Sequence, residues 1–339
     1  MTRICLVPKV RGVGGMVSFQ ARLTAGLAAR GIQVCDDLAY APYDAVLITG
    51  GTRDLAGLSR ARRRGVRIVQ RLDGINWLHR RQRTGLRHYL RAEGGNLLLT
   101  YLRSRLATSI VYQSAFVQRW WEDWFGQTPR PATVIHNGVD LGVYTPDGPH
   151  ERPVERLRLL VVEGSLGGGY DTGMMTAVRL AELLAEKGFP IELMIVGRVP
   201  AHLQAAAQGR SRVPMVWAGT VPGERIPFLD RSAHLLYSAD LNAACPNSVI
   251  EALACGLPVA AFDTGALPEL VPGEVGRVVP YGADPWKLEP PDVPALAEAA
   301  AGILSDGVRF RLAARAHAEQ AFGLDRMIER YLEILLGGG

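Results

Sequence analysis

The chain has 339 residues, 48% of them hydrophobic, with a formal net charge of +5. Such a length suggests two domains and such a composition fills two cores, which excludes a disordered chain or a small disulfide-stapled scaffold. Cys5, Cys35, Cys245 and Cys255 show no C-x-x-C spacing, no basic-then-apolar leader opens the chain, and no apolar run approaches about 18 residues. The expectation is a reduced, cytoplasmic protein without structural zinc or a membrane span.

An apolar strand is expected at Arg3–Val7, then a glycine turn at Gly12–Gly15. A helix over Met16–Ala29 follows, with Phe19, Leu23 and Leu27 every four residues and Gly31 as its terminating glycine. Further strands are expected at Ile32–Cys35, Ala45–Thr49, Val66–Gln70 and Thr108–Tyr112, then a helix through Phe116–Phe125 and a strand at Val134–His136. The breaker-rich stretch Asp140–Val154 contains Gly142, Pro146, Gly148, Pro149 and Pro153, and reads as a linker. Strands resume at Leu157–Val162, Ile191–Val196, Met215–Trp217, Leu235–Tyr237 and Pro258–Phe262. Helices are expected at Thr172–Lys187, Ser248–Cys255, Val308–Phe322 and Asp325–Leu336, with a disordered tail at Gly337–Gly339. The alternation predicts parallel sheets covered on both faces: an α/β chain of two doubly wound, Rossmann-like domains whose cleft is lined by strand C-terminal ends. The expected divisions are residues 1–145, residues 146–320, and a C-terminal helix over 321–339.

Three stretches carry chemistry. Gly12–Gly15 follows a strand and opens a helix, so a phosphate can approach the amides of Gly14 and Gly15 with help from the helix dipole. The alternative is a tight strand–helix turn. Val17 takes the last glycine position of G-x-G-x-x-G, so a dinucleotide reading with Asp36 or Asp37 on the ribose ranks lower. Ser248 and Glu251 fit S-x-x-E, a helix capping box. Alternatively, the Glu251 carboxylate accepts both hydroxyls of a ribose cis-diol while amides near Asn247 and Ser248 face a diphosphate. In Ile135–Asp140 the pair Asn137-Gly138 signals a turn, and His136 reads more readily as a packed histidine than as a base.

Charge divides unevenly. Residues 1–150 hold 21 Lys and Arg against 10 Asp and Glu, a net +11, while the remainder holds 17 against 23, a net −6. Between His79 and Arg91, Arg80, Arg81, Arg83, Arg87 and Arg91 interleave with Leu86, Tyr89 and Leu90, and residues 116–125 add three tryptophans. Such a surface suits an anionic membrane face. The plainer reading is a solvated arginine face with Trp120 and Trp124 turned to the core and Trp121 partly exposed. Nucleic acid ranks last.

Taken together, GVGGMVSFQARLTAGLAARGIQV, QRLDG at Gln70–Gly74, IHNGVDLGVYTP and the long CPNSVIEALACGLPVAAFDTGALPELV resemble family-4 glycosyltransferases (glycosyltransferase group 1) of the GT-B fold. VVEGSL, MIVG and WAGTVP match the family's donor-domain order, and FGLDRMIERYLEIL resembles its terminal helix crossing back to the first domain. The resemblance covers nearly the whole chain. It implies a retaining enzyme that moves a sugar from a nucleotide-diphosphate sugar, held mainly by the second domain, to a sugar, glycan or lipid-linked acceptor on the first. The departing diphosphate would take the acceptor proton. No metal or further cofactor is implied. The implied donor site is Gly14, Gly15, Gly164, Ser165, Arg198, Asn247, Ser248 and Glu251, with Asp73 and Glu251 as catalytic candidates.

The chain departs from the family pattern. Of its E-x7-E pair, Glu251 matches the second glutamate and Ala243 stands at the first, which passes sugar contacts to Asn242, Asn247 or backbone amides. The family's Arg and Lys after the first donor-domain strand are absent from GSLGGGYDTG, where Ser165 stands near the Arg position. Arg198, or Lys9 and Arg11, would substitute; or Gly167–Gly169 would cradle phosphate; or the protein is catalytically degenerate and acts as a binding or partner subunit. Asp73 stands near the family's histidine and either holds a sugar hydroxyl or caps a helix from about Asn76. A nucleotide-sugar epimerase is a further alternative.

Overall fold

The computed structural model describes residues 1–12, 14–83, 85–166 and 171–337. The Gly167–Gly169 run, Val13 of the glycine turn, and Gly338 and Gly339 of the tail therefore lie outside the described residues. The chain divides into two compact units: Met1–Gly138 with Leu324–Gly339, and Val139–Gly323.

Unit 1 carries a parallel six-stranded sheet of β1 (Arg3–Val7), β2 (Gln33–Cys35), β3 (Ala45–Thr49), β4 (Arg67–Leu72), β5 (Ser109–Tyr112) and β6 (Ala132–Val134), in the order β2-β1-β3-β4-β5-β6. Its helices are α1 (Gly15–Ala29), α2 (Leu55–Arg63), α3 (Leu86–Tyr101) and α4 (Ala115–Phe125). The two-residue period of the strands splits their side chains between two cores. Ile4, Leu6 and Leu47 face Phe19, Leu23 and Leu27 of α1. Cys5, Val7 and Ile48 face Leu58 of α2 and Leu102.

Unit 2 repeats the plan with β7 (Leu157–Ser165), β8 (Ile191–Arg198), β9 (Met215–Gly219), β10 (Leu235–Tyr237), β11 (Val259–Phe262) and β12 (Gly276–Val279), in the order β12-β11-β10-β7-β8-β9. Its helices are α5 (Asp171–Glu186), α6 (Ala201–Arg210), α7 (Ile226–Ser232), α8 (Asn247–Ala254), α9 (Leu267–Leu270), α10 (Val293–Ser305) and α11 (Gly307–Ala321). Helices α5 and α10 bury Val178, Ala181, Leu296 and Ile303 against Leu159 and Val161 of the central strand.

The last helix, α12 (Leu324–Leu336), belongs to unit 1. Met327, Ile328, Tyr331 and Leu335 form one apolar stripe and join the α1 core, Tyr331 meeting the Phe19 ring at 5.3 Å. Both expected divisions, after residue 145 and after residue 320, fall inside the Val139–Gly323 unit. The reason is a clasp: Val139 bridges Gly323, and its N–H donates to the Phe322 carbonyl at 2.8 Å, so the chain enters and leaves unit 2 side by side. The stretch expected as a linker is anchored within unit 2. The Arg231 guanidinium donates to the carbonyls of Thr145 and Pro149, and that of Arg315 to those of Leu141 and Tyr144. Breakers there set turns, and the buried Arg231 and half-buried Arg315 satisfy carbonyls those turns leave unpaired.

Candidate functional site

In unit 2 the chain winds from β7 outward through β8 and β9, then returns to the other side of β7 to lay down β10, β11 and β12. Neighbouring strands β7 and β10 thus lead away in opposite directions, and the crevice beyond their C-terminal ends is the topological switch point where doubly wound sheets hold ligands. Glu163, Ser165, Leu166, Ala239 and Asp240 line a small cavity of about 80 Å³ there. Burial raises the carboxyl pKa values of both Glu163 and Asp240, and the Asp240 charge raises Glu163 further. Both acids keep protons at a pH where exposed carboxyls lose theirs.

The neighbouring strand brings a cation to this edge. Ser165 and Arg198 are register partners across β7 and β8, the Leu166 N–H donates to the Arg198 carbonyl at 3.0 Å, and Arg198 is exposed. The close approach requires glycine at 197, where φ is +128° and a Cβ would collide with the Glu163 carbonyl oxygen. Gly164 is exposed beside it. The first turn of α5 also reaches this rim, since a Cβ on Gly173 would collide with the Ala239 carbonyl.

The third wall is the loop from Asp240 into α8. Asn242 is a non-glycine residue at φ +58°, 5% exposed, with no hydrogen-bond partner on its Nδ2. A strained, buried residue with an idle donor is a feature found at ligand clamps. The loop is held in place by the Ala266 N–H donating to the Ala243 carbonyl at 2.8 Å. Helix α8 starts at Asn247, so Pro246 rather than Ser248 takes the capping position, and no side chain caps it. The capping-box reading of Ser248 and Glu251 is therefore corrected: Ser248 already lies inside the first turn. Asn247 and Ser248 are partly exposed at the helix start, and Glu251, one turn further, is 7% exposed.

Behind Glu251 lies a carboxyl the sequence reading passed over. Asp230 of α7 is fully buried, neither side-chain oxygen has a hydrogen-bond partner, and burial, then the Glu251 charge, raise its pKa well above the usual range against the pull of Arg231. A carboxyl protonated only when folded adds stability that is complete below its unfolded pKa of about 3.9 and fades as pH rises toward the folded value. Asp230→Asn is therefore expected to flatten the fall of Tm with rising pH between about 4 and neutrality relative to wild type, read by calorimetry across that range. Parallel curves would mean Asp230 is charged in the fold.

In unit 1, Gly14 caps α1 at φ +137° and no atom lies within 4 Å of where its Cβ would be, so backbone conformation rather than packing selects glycine. Gly14 and Gly15 are exposed beyond the end of β1. Lys9 and Arg11 are both exposed in that loop, and Lys9 is bound to Asp36 at 2.5 Å. Asp73 directly follows β4. Burial raises its pKa against the opposing Arg71 charge, and its carbonyl accepts from Trp121 Nε1 at 2.8 Å. The helix expected from about Asn76 is absent: a short 3-10 turn over Leu78–Arg80 follows Trp77, and α3 begins only at Leu86. Trp120 is buried as expected, but Trp121 and Trp124 exchange places, Trp121 buried and Trp124 exposed, because the Trp121 indole fills the core and reaches Asp73.

The structure thus gathers Gly164, Ser165, Arg198, Asn247, Ser248 and Glu251 along one edge of the unit 2 sheet, and places Gly14, Gly15 and Asp73 at strand ends of unit 1. Glu163 and Asp240 escaped the sequence reading, although each is a charged residue at or just beyond an apolar strand.

A family profile described as Glycosyl transferases group 1 matches residues 158–306. A GDP-mannose-dependent monoacylated alpha-(1-6)-phosphatidylinositol monomannoside mannosyltransferase of Corynebacterium glutamicum is 28% identical over 254 residues, covering 67% of this chain and 61% of that protein. A 2-deoxystreptamine glucosyltransferase of Streptomyces kanamyceticus is 28% identical over 228 residues, covering 59% and 57%. The chain thus spans about three fifths of the length of the curated relatives it matches. Among solved structures, sucrose-phosphate synthase from Thermosynechococcus elongatus superposes with a TM-score of 0.73 at 16% identity over 98% of both chains. Anabaena HepE in complex with UDP-glucose superposes with a TM-score of 0.69 at 16% identity over 99% of both. Residues 158–306 are thus similar to the glycosyl transferases group 1 family, on a chain whose two units have the GT-B fold.

Proposed function

We propose that this protein transfers a sugar, with retention of configuration, from a nucleotide-diphosphate sugar bound at the C-terminal edge of the unit 2 sheet. The observation that carries the reading is the buried Glu251 carboxylate one turn into α8, beside the β7–β10 switch point. Glu251 accepts from the two ribose hydroxyls. Amides at Asn247 and Ser248 and the Arg198 guanidinium receive the diphosphate, and the Asn242 amide donates to the sugar. A protonated Glu163 beside Asp240 lessens the negative charge that a dianionic ligand meets at this rim. Charge building on the leaving diphosphate is stabilised by these donors, and the diphosphate takes the acceptor proton. In unit 1, Gly14, Gly15 and Asp73 are the proposed polar contacts of the sheet edge, Asp73 to a sugar hydroxyl. The proposal invokes no metal and no further cofactor.

Support comes from the UDP-glucose held by HepE and the donor named for the Corynebacterium relative. UDP-glucose and GDP-mannose are therefore the donors to test. Release of nucleoside diphosphate from either, with the product's anomeric configuration read by NMR, is the expected result. Donor binding without release of diphosphate under any condition would turn the reading toward a catalytically degenerate binding subunit. Arg198→Ala is expected to lower kcat/KM by roughly 10- to 100-fold, the loss of one charge-assisted contact to the leaving group. An unchanged value would remove Arg198 from the site.

The reading includes peripheral attachment of unit 1 to anionic lipid in the cytoplasm, which suits a lipid-linked acceptor. The net +11 of residues 1–150 and the four free cysteines support it. No helix among the described residues is long and apolar enough to cross a membrane.

A further inference from the structure

Resting on the attachment part of that reading, we propose that the solvent face of α3 is the surface that seats on an anionic bilayer, lying in the plane of its headgroups. Leu86, Leu90, Leu97 and Tyr101 are 74%, 61%, 66% and 46% exposed. At about 100° per residue their spacing places all four within an arc of roughly 60° on one side of the helix. The other side buries Ala92, Asn96 and Leu99 against unit 1, so the exposed stripe has no part in the core. Single exposed apolar residues are ordinary, but an aligned stripe on one helix marks a contact surface.

The charges around the stripe choose the partner. Arg83, Arg87 and Arg91 are exposed and have no ion-pair partner among the described residues. The acidic residue on that helix, Glu93, is already bound by His79 at 2.8 Å and by Arg80 at 2.5 Å. A second copy of the chain would bring arginines against arginines. Aliphatic leucines suit acyl chains and do not stack with bases, so a nucleic acid fits less well than a bilayer. Beside the first turn of α3, Arg80, Arg81, Arg83 and Tyr89 line an open groove of about 520 Å³ that can take a lipid phosphate. Sixteen residues with Arg87 and Arg91 along one flank of the stripe fit a helix lying along the interface.

Co-sedimentation of the full chain with phosphatidylcholine vesicles, with and without phosphatidylglycerol, tests this. Wild type is expected to pellet with the anionic vesicles and to be released by high salt. A Leu90→Asn, Leu97→Asn double variant, altered only at exposed positions, is expected to keep its Tm and lose at least about tenfold in partitioning. Arg83→Ala with Arg87→Ala is expected to weaken binding and flatten its salt dependence. Leucine variants that bind like wild type would overturn the α3 assignment while leaving attachment standing. Absence of wild-type pelleting would overturn both and leave sugar transfer in solution unaffected. A concentration-dependent dimer that the leucine variants abolish, without vesicle binding, would reassign the face to a second copy.

Discussion

Glu251→Ala is expected to remove the response to nucleotide sugar almost entirely. A wild-type protein at a ligand concentration of about 100 times its dissociation constant gains about 2.7 kcal/mol of stability. Deleting a carboxylate that accepts two hydroxyl hydrogen bonds costs about 3 kcal/mol of binding, near the upper end for bonds to a charged group, and weakens affinity by roughly 100-fold. At the same concentration the stabilisation then falls to about 0.4 kcal/mol, within the scatter of a thermal-shift assay. The unliganded variant should still fold. Glu251 is 7% exposed on a short helix, and its removal relieves a charge that disfavours ionisation of Asp230. Two readouts therefore belong together: loss of the donor response, and a shallower dependence of Tm on pH in the unliganded protein. Loss of the first with the second unchanged would place Glu251 on the ligand but away from Asp230. Retention of a full donor response would remove Glu251 from the ribose.

How far the sequence led depended on which side of each element faces the core. Ala45–Thr49 and Leu235–Tyr237 were legible to the residue because every side chain in them is buried and nearly all are apolar. Helix α1 was legible because Phe19, Leu23 and Leu27 all point inward. Helix α3 was not, and its sequence shows why. Gly94 and Gly95 interrupt it, and its leucines fall on both faces, Leu99 inward and Leu86, Leu90 and Leu97 outward, so no single apolar stripe marks a core side. The site followed the same rule. Motif residues along the chain, such as Glu251 and Ser165, could be named from sequence. Glu163, Asp240 and Asp230 gain their chemistry from burial beside strands and helices distant in the chain, and only the fold supplies that burial. Asn242 was readable as a polar residue but not as one at φ +58°, in a loop packed against the turn at Gly265. That turn packs so closely that a Cβ there would lie 2.5 Å from the Ala243 nitrogen and oxygen.

Gly197→Ala is expected to be among the most damaging single substitutions in unit 2. Residue 197 lies where β8 changes register against β9 and where β7 bulges between Val162 and Ser165. Its φ of +128° is open to glycine but strained for alanine, at a cost of about 1–3 kcal/mol. The added methyl would also meet the Glu163 carbonyl, a backbone atom held in the β7 strand and unable to turn aside. Either β7 and β8 separate at their C-terminal ends or the ladder shifts, and both disturb Ser165, Arg198 and the small cavity together. A total on the order of 3 kcal/mol or more corresponds to a fall of roughly 6–12 °C in the Tm of a unit this size. The comparison is Gly164→Ala, at an exposed position where nothing lies within 4 Å of the added methyl. That variant should hold its Tm, so any loss of donor affinity in it would come from crowding the ligand. Equal Tm values for Gly197→Ala and wild type would mean that β7 and β8 do not meet as closely at this edge, and that Arg198 is not fixed beside Ser165.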